Sequence, residues 1–394
     1  MGYSIRMLTI LLIIGLSGVY GQSGVLRVDP DNALGATVSE IFDSVQYIPL
    51  ENNQKSSFGR VAKLIVSDSF FYILDHSTDA ILIFHKDGRF YNKIDLVKWV
   101  KTSNRKYLGI KDFMVNKKTG NIIVSNWTFQ NNLYLFNPEG KLLQVFDHNN
   151  WNELIDLDGE HYLVEAEDDI LDQSKRINGS LIVTDMTFNQ QKGFLPKLKK
   201  AMRISAGEAL TSVNGFPVAY FTRPFDYKVY LINKNGIQDI LPFVFPLKNS
   251  LPDHFLDTVA STDQLNYLKN HSSLIWNIAD FYPSGNYFSF RLFHHGNNIP
   301  LLFDKRKKLT YNLLKIYPDS SNGFLPIVGG QYQYILAADS NSYYSSVPSY
   351  SLFQAYEVNK NKGINFSSVL NSYFEHQDSR SNPVLVRLIP KKNK

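Results

Sequence analysis

Residues 81–95 read ILIFHKDGRFYNKID. An alternating apolar run ends in a charged turn at Gly88, and a second alternating run follows, the pattern of a β-hairpin. Glycine there supplies the positive φ that a tight hairpin turn needs. The arrangement returns as LYLFNPEGKLLQVFD (133–147), VYLINKNGIQDILPF (229–243) and PLLFDKRKKLTYNLL (300–314). Phe84, Phe136 and Ile232 each precede a glycine by four residues, whereas Lys307 holds that place after Phe303, so the fourth turn is expected to differ. Two looser copies, LIVTDMTFNQQKGFL (181–195) and FQAYEVNKNKGINFS (353–367), set Val183 and Tyr356 at the same mark.

Successive marks lie 47 to 53 residues apart, except for one interval of 71. A period of about 50 is the size of a four-stranded propeller blade. A further strand is expected before each mark: FFYILD (70–75), NIIVSN (121–126), HYLVEA (161–166), FPVAYF (216–221), NYFSFRLF (286–293) and QYQYILAA (331–338). The expected fold is therefore all-β, a six-bladed β-propeller. The long interval predicts a helical insertion at about 252–275, where Ser261 and Gln264 have capping-box spacing. A second short helix is expected at 367–374, ahead of a closing strand PVLVRLIP (383–390), whose Pro383 suits a first strand position.

The N-terminus reads MGYSIRMLTILLIIGLSGVYGQS, with Arg6, an apolar stretch of about ten residues, and small residues ahead of Gln22. This predicts a signal peptide at 1–21, leaving 22–394 as a single domain. There is no cysteine, which removes disulfides, thiolate chemistry and the lipid-bearing residue of a lipoprotein. A periplasmic or secreted protein, monomeric and not inserted in the membrane after cleavage, is expected. The net charge is +5 at pH 7 and falls by one when Arg6 leaves. Basic clusters at 197–200, 305–308 and 391–394 are short and turn-like, so no nucleic-acid partner is expected.

Several stretches carry a resemblance to the bacterial six-bladed β-propeller family catalogued as domains of unknown function, NHL-like in shape. They are SEIFDSVQYIPLE (39–51), GRVAKLIVSDSFFYILDHSTDAILIFHKDGRF (59–90), YKVYLINKNGI (227–237) with LPDHF (251–255), and NPVLVRLIP (382–390). The resemblance implies a closed ring, in which a strand from one chain end completes a blade begun by the other. A glycine-rich segment of many members is missing from LVKWVKTSNRKYLGIKDFMV (96–115), where Tyr107 and the I-x-D-F of Ile110, Asp112 and Phe113 remain.

No catalytic signature is present: no G-x-S-x-G, H-E-x-x-H, P-loop or EF-hand loop. His294 and His295 are adjacent and would point to opposite faces of a strand. The acidic run 159–172 (Glu165, Glu167, Asp168, Asp169, Asp172) has no loop geometry for calcium and reads as a solvated loop. No cofactor or metal is expected. Propellers bind at one face of the central channel, so polar and aromatic residues at the ends of expected inner strands are the ligand-binding candidates: Asp75, His76, Asn126, Trp127, Arg223, Asp226 and Arg291. Arginine could fork onto a carboxylate or sugar hydroxyls and Trp127 could stack on a sugar ring; the same residues could equally tie blades together. Two functions remain open at this point. One is a non-catalytic binding or scaffold propeller, with a carbohydrate or peptide ligand by analogy or an envelope protein as partner. The other is a metal-dependent lyase or hydrolase at the channel face.

Overall fold

The computed structural model describes residues 24–99, 109–127, 132–147, 151–166, 170–172, 175–177, 179–185, 187, 191–204 and 206–392. The expected signal peptide, Tyr107 and the acidic residues 167–169 lie outside these.

Four antiparallel strands in chain order make each recurring sheet. One takes Lys63–Val66, Phe70–Asp75, Ala80–His85 and Phe90–Asp95. Another takes Ile110–Val115, Ile122–Asn126, Asn132–Phe136 and Leu142–Asp147. A third takes Trp151–Asp156, His161–Ala166, Leu181–Asp185 and Gln191–Phe194, with the separate hairpin Ile170–Asp172 and Lys175–Ile177. Ile275–Ser284, Tyr287–His294, Asn297–Asp304 and Leu309–Tyr317 form a sheet to which Leu34–Thr37 adds in parallel. A nine-stranded sheet holds two such sets. The first is Leu210–Asn214, Ala219–Arg223, Asp226–Asn233 and Gly236–Val244, with Leu26–Arg27 alongside; the second is Ala337–Asp339, Tyr343–Val347, Val384–Pro390 and Phe42–Ile48. They meet where Val213 and Asn214 run parallel to Ala338 and Asp339. The first strands of neighbouring sets touch one another, which puts them at the centre and the fourth strands outside, a propeller-like arrangement.

Strand period explains the core. Along FFYILD and AILIFH nearly every side chain is buried, because both faces of the sheet are covered. Phe71, Ile73, Leu82 and Phe84 pack against Tyr344 and Leu385 on one side. Tyr72, Leu74, Ile81 and Ile83 pack against Phe113, Val124 and Phe136 on the other. Alternate residues of one strand thus fill two different interfaces.

The opening hairpin forms as expected. Gly88 has φ +91, and a Cβ there would stand 2.0 Å from the Pro49 carbonyl oxygen. Glu51 N–H donates to the Gly88 carbonyl (2.9 Å), and the Glu51 carboxylate accepts from Phe90 N–H (2.8 Å). The turn is therefore docked against the strand that completes the neighbouring set. In the fourth copy the left-handed residue is Lys308 (φ +56), one place later, and Asp304 accepts from the N–H groups of Arg306 and Lys307. Lys86 does not behave as a solvated turn charge: its ammonium lies 4.1 Å from the Phe71 ring centroid and donates to the Ser67 carbonyl, and burial pulls its pKa down to about 8.

Chain closure also matches expectation, with Leu385 opposite Ile48 and Arg387 opposite Gln46. Asn382 locks the entry to that strand, donating to the carbonyls of Glu51 and Ser56 and accepting from Phe58 N–H.

The sixth hairpin copy is not a hairpin. Residues 353–359 belong to a helix, Ser349–Asn359, and Tyr356 stacks on Phe374 of a second helix, Ser368–His376, at 4.0 Å between ring centroids. Strand Tyr343–Val347 already has its partner in Val384–Pro390, so 349–376 is left as a connection, and its aromatic residues pack at helical spacing. The expected strand at 331–338 shrinks to Ala337–Asp339, and the one at 216–221 starts only at Ala219. The insertion holds Phe255–Thr258 and Gln264–Asn270, but Ser261 caps nothing: Asp263 is the N-cap residue. Gln264 is buried, bonded to the backbone of Lys200, Val259 and Met202. Among the described residues no helix is long and apolar enough to cross a membrane.

Candidate functional site

The innermost strands and the residues just ahead of them carry charged side chains that meet one another. Lys63 Nζ lies 2.6 Å from Asp112 Oδ1 and 3.4 Å from Glu208 Oε2. Asp112 also accepts from Leu154 N–H (3.3 Å), on the next inner strand. Glu153 accepts from the N–H groups of Ala209 (3.1 Å) and Leu210 (2.6 Å). Asp280 accepts from Glu208 N–H (3.1 Å) and pairs with Arg291 Nε at 2.5 Å. The Arg291 guanidinium sits 3.5 Å from the Tyr334 ring centroid. Each carboxylate thus fastens one strand to a neighbour, because a short inner strand leaves backbone N–H groups that a side-chain oxygen can satisfy.

Asp112, Glu153, Glu208 and Asp280 share two cations, Lys63 and Arg291. Burial opposes the charge on Lys63, yet Asp112, Glu208 and Glu153 hold it protonated well above the ordinary lysine value. Burial raises Glu208 to about 7 against the pull of Lys63, with Asp112 adding to the rise. Glu153 is raised well above the usual carboxylate range by burial and by Glu165 and Glu208.

The same strands open into a cavity of 390 Å³. Lys63, Glu208, Thr211 and Tyr282 lie within it, and its mouth is formed by the turns at 67–70, 116–120 and 212–214. Hydroxyl, amide and ammonium groups dominate that mouth: Ser69, Thr119, Ser212, Asn214 and Lys117. Two contacts cross it, Asn214 Nδ2 to Asp68 Oδ1 (2.9 Å) and Lys117 Nζ to the Phe216 carbonyl (3.2 Å). Among the described residues no group of three or more His, Asp or Glu is arranged to hold a metal ion.

The expected site residues disperse. Asp75, Asn126, Arg223 and Arg291 lie on the second strand of their sets rather than the innermost, and Asp226 begins a third strand, a correction that follows from pairings such as Lys63 with Leu74 and Ile110 with Asn126. Asp75 is fully buried and caps its turn, accepting from Ser77, Thr78 and Arg60 N–H. His76 is exposed in that turn. Asn126 is buried at a strand end, while Trp127 is 61% exposed with the Lys111 ammonium 5.3 Å from its ring centroid. Arg223 pairs with Asp226 at 2.9 Å within one turn, and Tyr230 O–H donates to Asp226. Arg291 alone of the seven reaches the central network described here. Missed were Lys63, Asp112, Glu153, Glu208 and Asp280. A signal existed: each stands just ahead of or inside a short apolar run, as in KLIV, DFMV and DFY.

A protein from Bacteroides fragilis considered to be exported, BF0058, has a similar structure: TM-score 0.70 and 17% identity over 94% of this chain and 100% of that one. A member of the DUF4221 family from Bacteroides vulgatus aligns with TM-score 0.47 and 9% identity over 90% of this chain and 98% of that one. BamB from Moraxella catarrhalis aligns with TM-score 0.37 and 7% identity over 68% of this chain and 66% of that one. No curated protein matches the sequence. The likeness to BF0058 at this identity speaks for the fold. The family model for a domain of unknown function, DUF4934, matches residues 26–388, so the chain belongs to that family of propeller-like proteins.

Proposed function

We propose that the protein is an exported, non-catalytic propeller of six blades that binds a polar ligand, a carbohydrate or peptide, in the mouth of its central channel. The count of six takes each half of the nine-stranded sheet as one blade, and the parallel contact at Val213 and Ala338 as a bridge between two inner strands. Export rests on the N-terminal sequence.

The observation that carries the binding role is the 390 Å³ cavity, with hydroxyl and amide groups on the turns at its mouth, apolar side chains such as Leu64, Val115 and Leu210 along its walls, and Lys63 and Glu208 behind them. Concave sites with a few convergent polar groups are where small ligands bind. The acids deeper in the channel are engaged in strand-to-strand contacts, which suits a rigid frame rather than a reacting centre. A glycan and peptide array followed by calorimetry tests this. A ligand binding at millimolar affinity or better should lose at least about tenfold with Ser69→Trp, a change of more than 1.4 kcal/mol, at unchanged melting temperature. A ligand indifferent to Ser69→Trp, or no ligand at all, would overturn the reading.

A further inference from the structure

We propose a second binding site, in the wedge between strands 210–244 and the sheet 275–317, that takes an aliphatic carboxylate of the fatty-acid type. A cavity of 470 Å³ lies there, walled by Phe216, Tyr220, Leu231, Leu241, Phe281 and Phe288. Phe303 and Pro283 complete the apolar wall, and Lys305 and Lys308 are its cations.

Charge chooses the sign of the ligand's head group. Lys305 and Lys308 line the same cavity against one carboxylate, Asp239. The Lys305 ammonium rests 4.9 Å from the Phe288 ring centroid, and burial lowers its pKa, so a carboxylate partner would recover charge pairing that the apolar wall denies it. Strand register builds one wall of the cavity: Pro283 is opposite Phe288 and Phe288 is opposite Phe303, with Lys305 two residues beyond Phe303. Two ammonium groups on an aromatic and aliphatic slot match a single anionic head on an apolar tail. The site is separate from the channel mouth and does not rest on the role proposed for that mouth.

Calorimetry on the purified protein with decanoate, 1-decanol and decyltrimethylammonium, each below its aggregation concentration, tests the assignment. Decanoate should bind tightest. Lys305→Gln with Lys308→Gln should weaken decanoate about tenfold, as for two part-exposed ion pairs, and leave 1-decanol unchanged. Leu231→Trp should abolish both, with the melting temperature reporting that the fold survives, while Ser69→Trp at the channel should change neither. No saturable decanoate binding, a preference for the cationic amphiphile, or decanoate affinity indifferent to both the lysine pair and Leu231→Trp would each overturn the proposal.

Discussion

Leu385 lies opposite Ile48 in an antiparallel pair, so the last strand of the chain is completed by one of the first. Without Val384–Pro390, strands Tyr343–Val347 and Phe42–Ile48 would each lose a partner, and the apolar faces of Phe71 and Phe84 would lose Leu385. Deletion of residues 384–394 is expected to abolish cooperative folding of the whole domain. Thermal unfolding by circular dichroism checks it: a truncated chain with one sharp transition near the full-length temperature would contradict the closure argument.

Lys63 is the counter-charge for Asp112 and Glu208. Removing one partner of a buried ion pair costs about 3–5 kcal/mol, because the remaining charge stays desolvated. Lys63→Met is expected to fall in that range in urea denaturation. Adding Asp112→Asn and Glu208→Gln should restore most of the loss, since neutral amides keep the hydrogen-bonding shape without the stranded charge.

Glu208 has a folded pKa raised to about 7 by burial, above its ordinary value of 4.5. The folded state therefore holds a proton over that interval which the unfolded chain releases. This contribution to stability is full below the ordinary carboxylate pKa and is lost as pH rises through about 7. Melting temperature should show a downward component from pH 5 to 7.5 that Glu208→Gln removes. The same downward component persisting in the variant would assign it elsewhere.

Gly88 and Gly285 both have positive φ, +91 and +53, but different surroundings. A Cβ at Gly88 would press on the Pro49 carbonyl at 2.0 Å, whereas nothing lies within 4 Å of one at Gly285. Gly285→Ala should cost only the left-handed penalty, about 1–2 kcal/mol. Gly88→Ala should cost more, about 3 kcal/mol or above, because the docked strand must move. Equal losses for the two in denaturant titrations would argue that the Gly88 turn is not held by the 48–51 segment.

Much of this arrangement is legible in the chain. Alternation around Gly88, Gly140 and Gly236 gives hairpins, their spacing gives repeated sheets, and VLVRLIP marks the closing strand. The stretch 353–367 misled, because FQAYEV offers Phe353 and Ala355 at strand spacing as well as Phe353 and Tyr356 at helical spacing. The parallel additions of Leu26–Arg27 and Leu34–Thr37 carry no local signal: each is a short segment whose partner lies far along the chain.

Asp75 and Asp112 show the same divide for the site. Both are aspartates beside apolar strands, yet Asp75 closes a turn upon itself while Asp112 bridges two inner strands and meets Lys63. The sequence by itself determined the hairpin repeat, the place of the insertion and the existence of a final strand, because these depend on side-chain period and turn chemistry within some tens of residues; that this strand joins the two ends was implied only by the family resemblance. Which strand of each set is innermost, which acids meet Lys63 and Arg291, and where the cavities open were decided by the tertiary structure. Those contacts join residues from different sheets, and no local pattern encodes how the sheets are set around the centre.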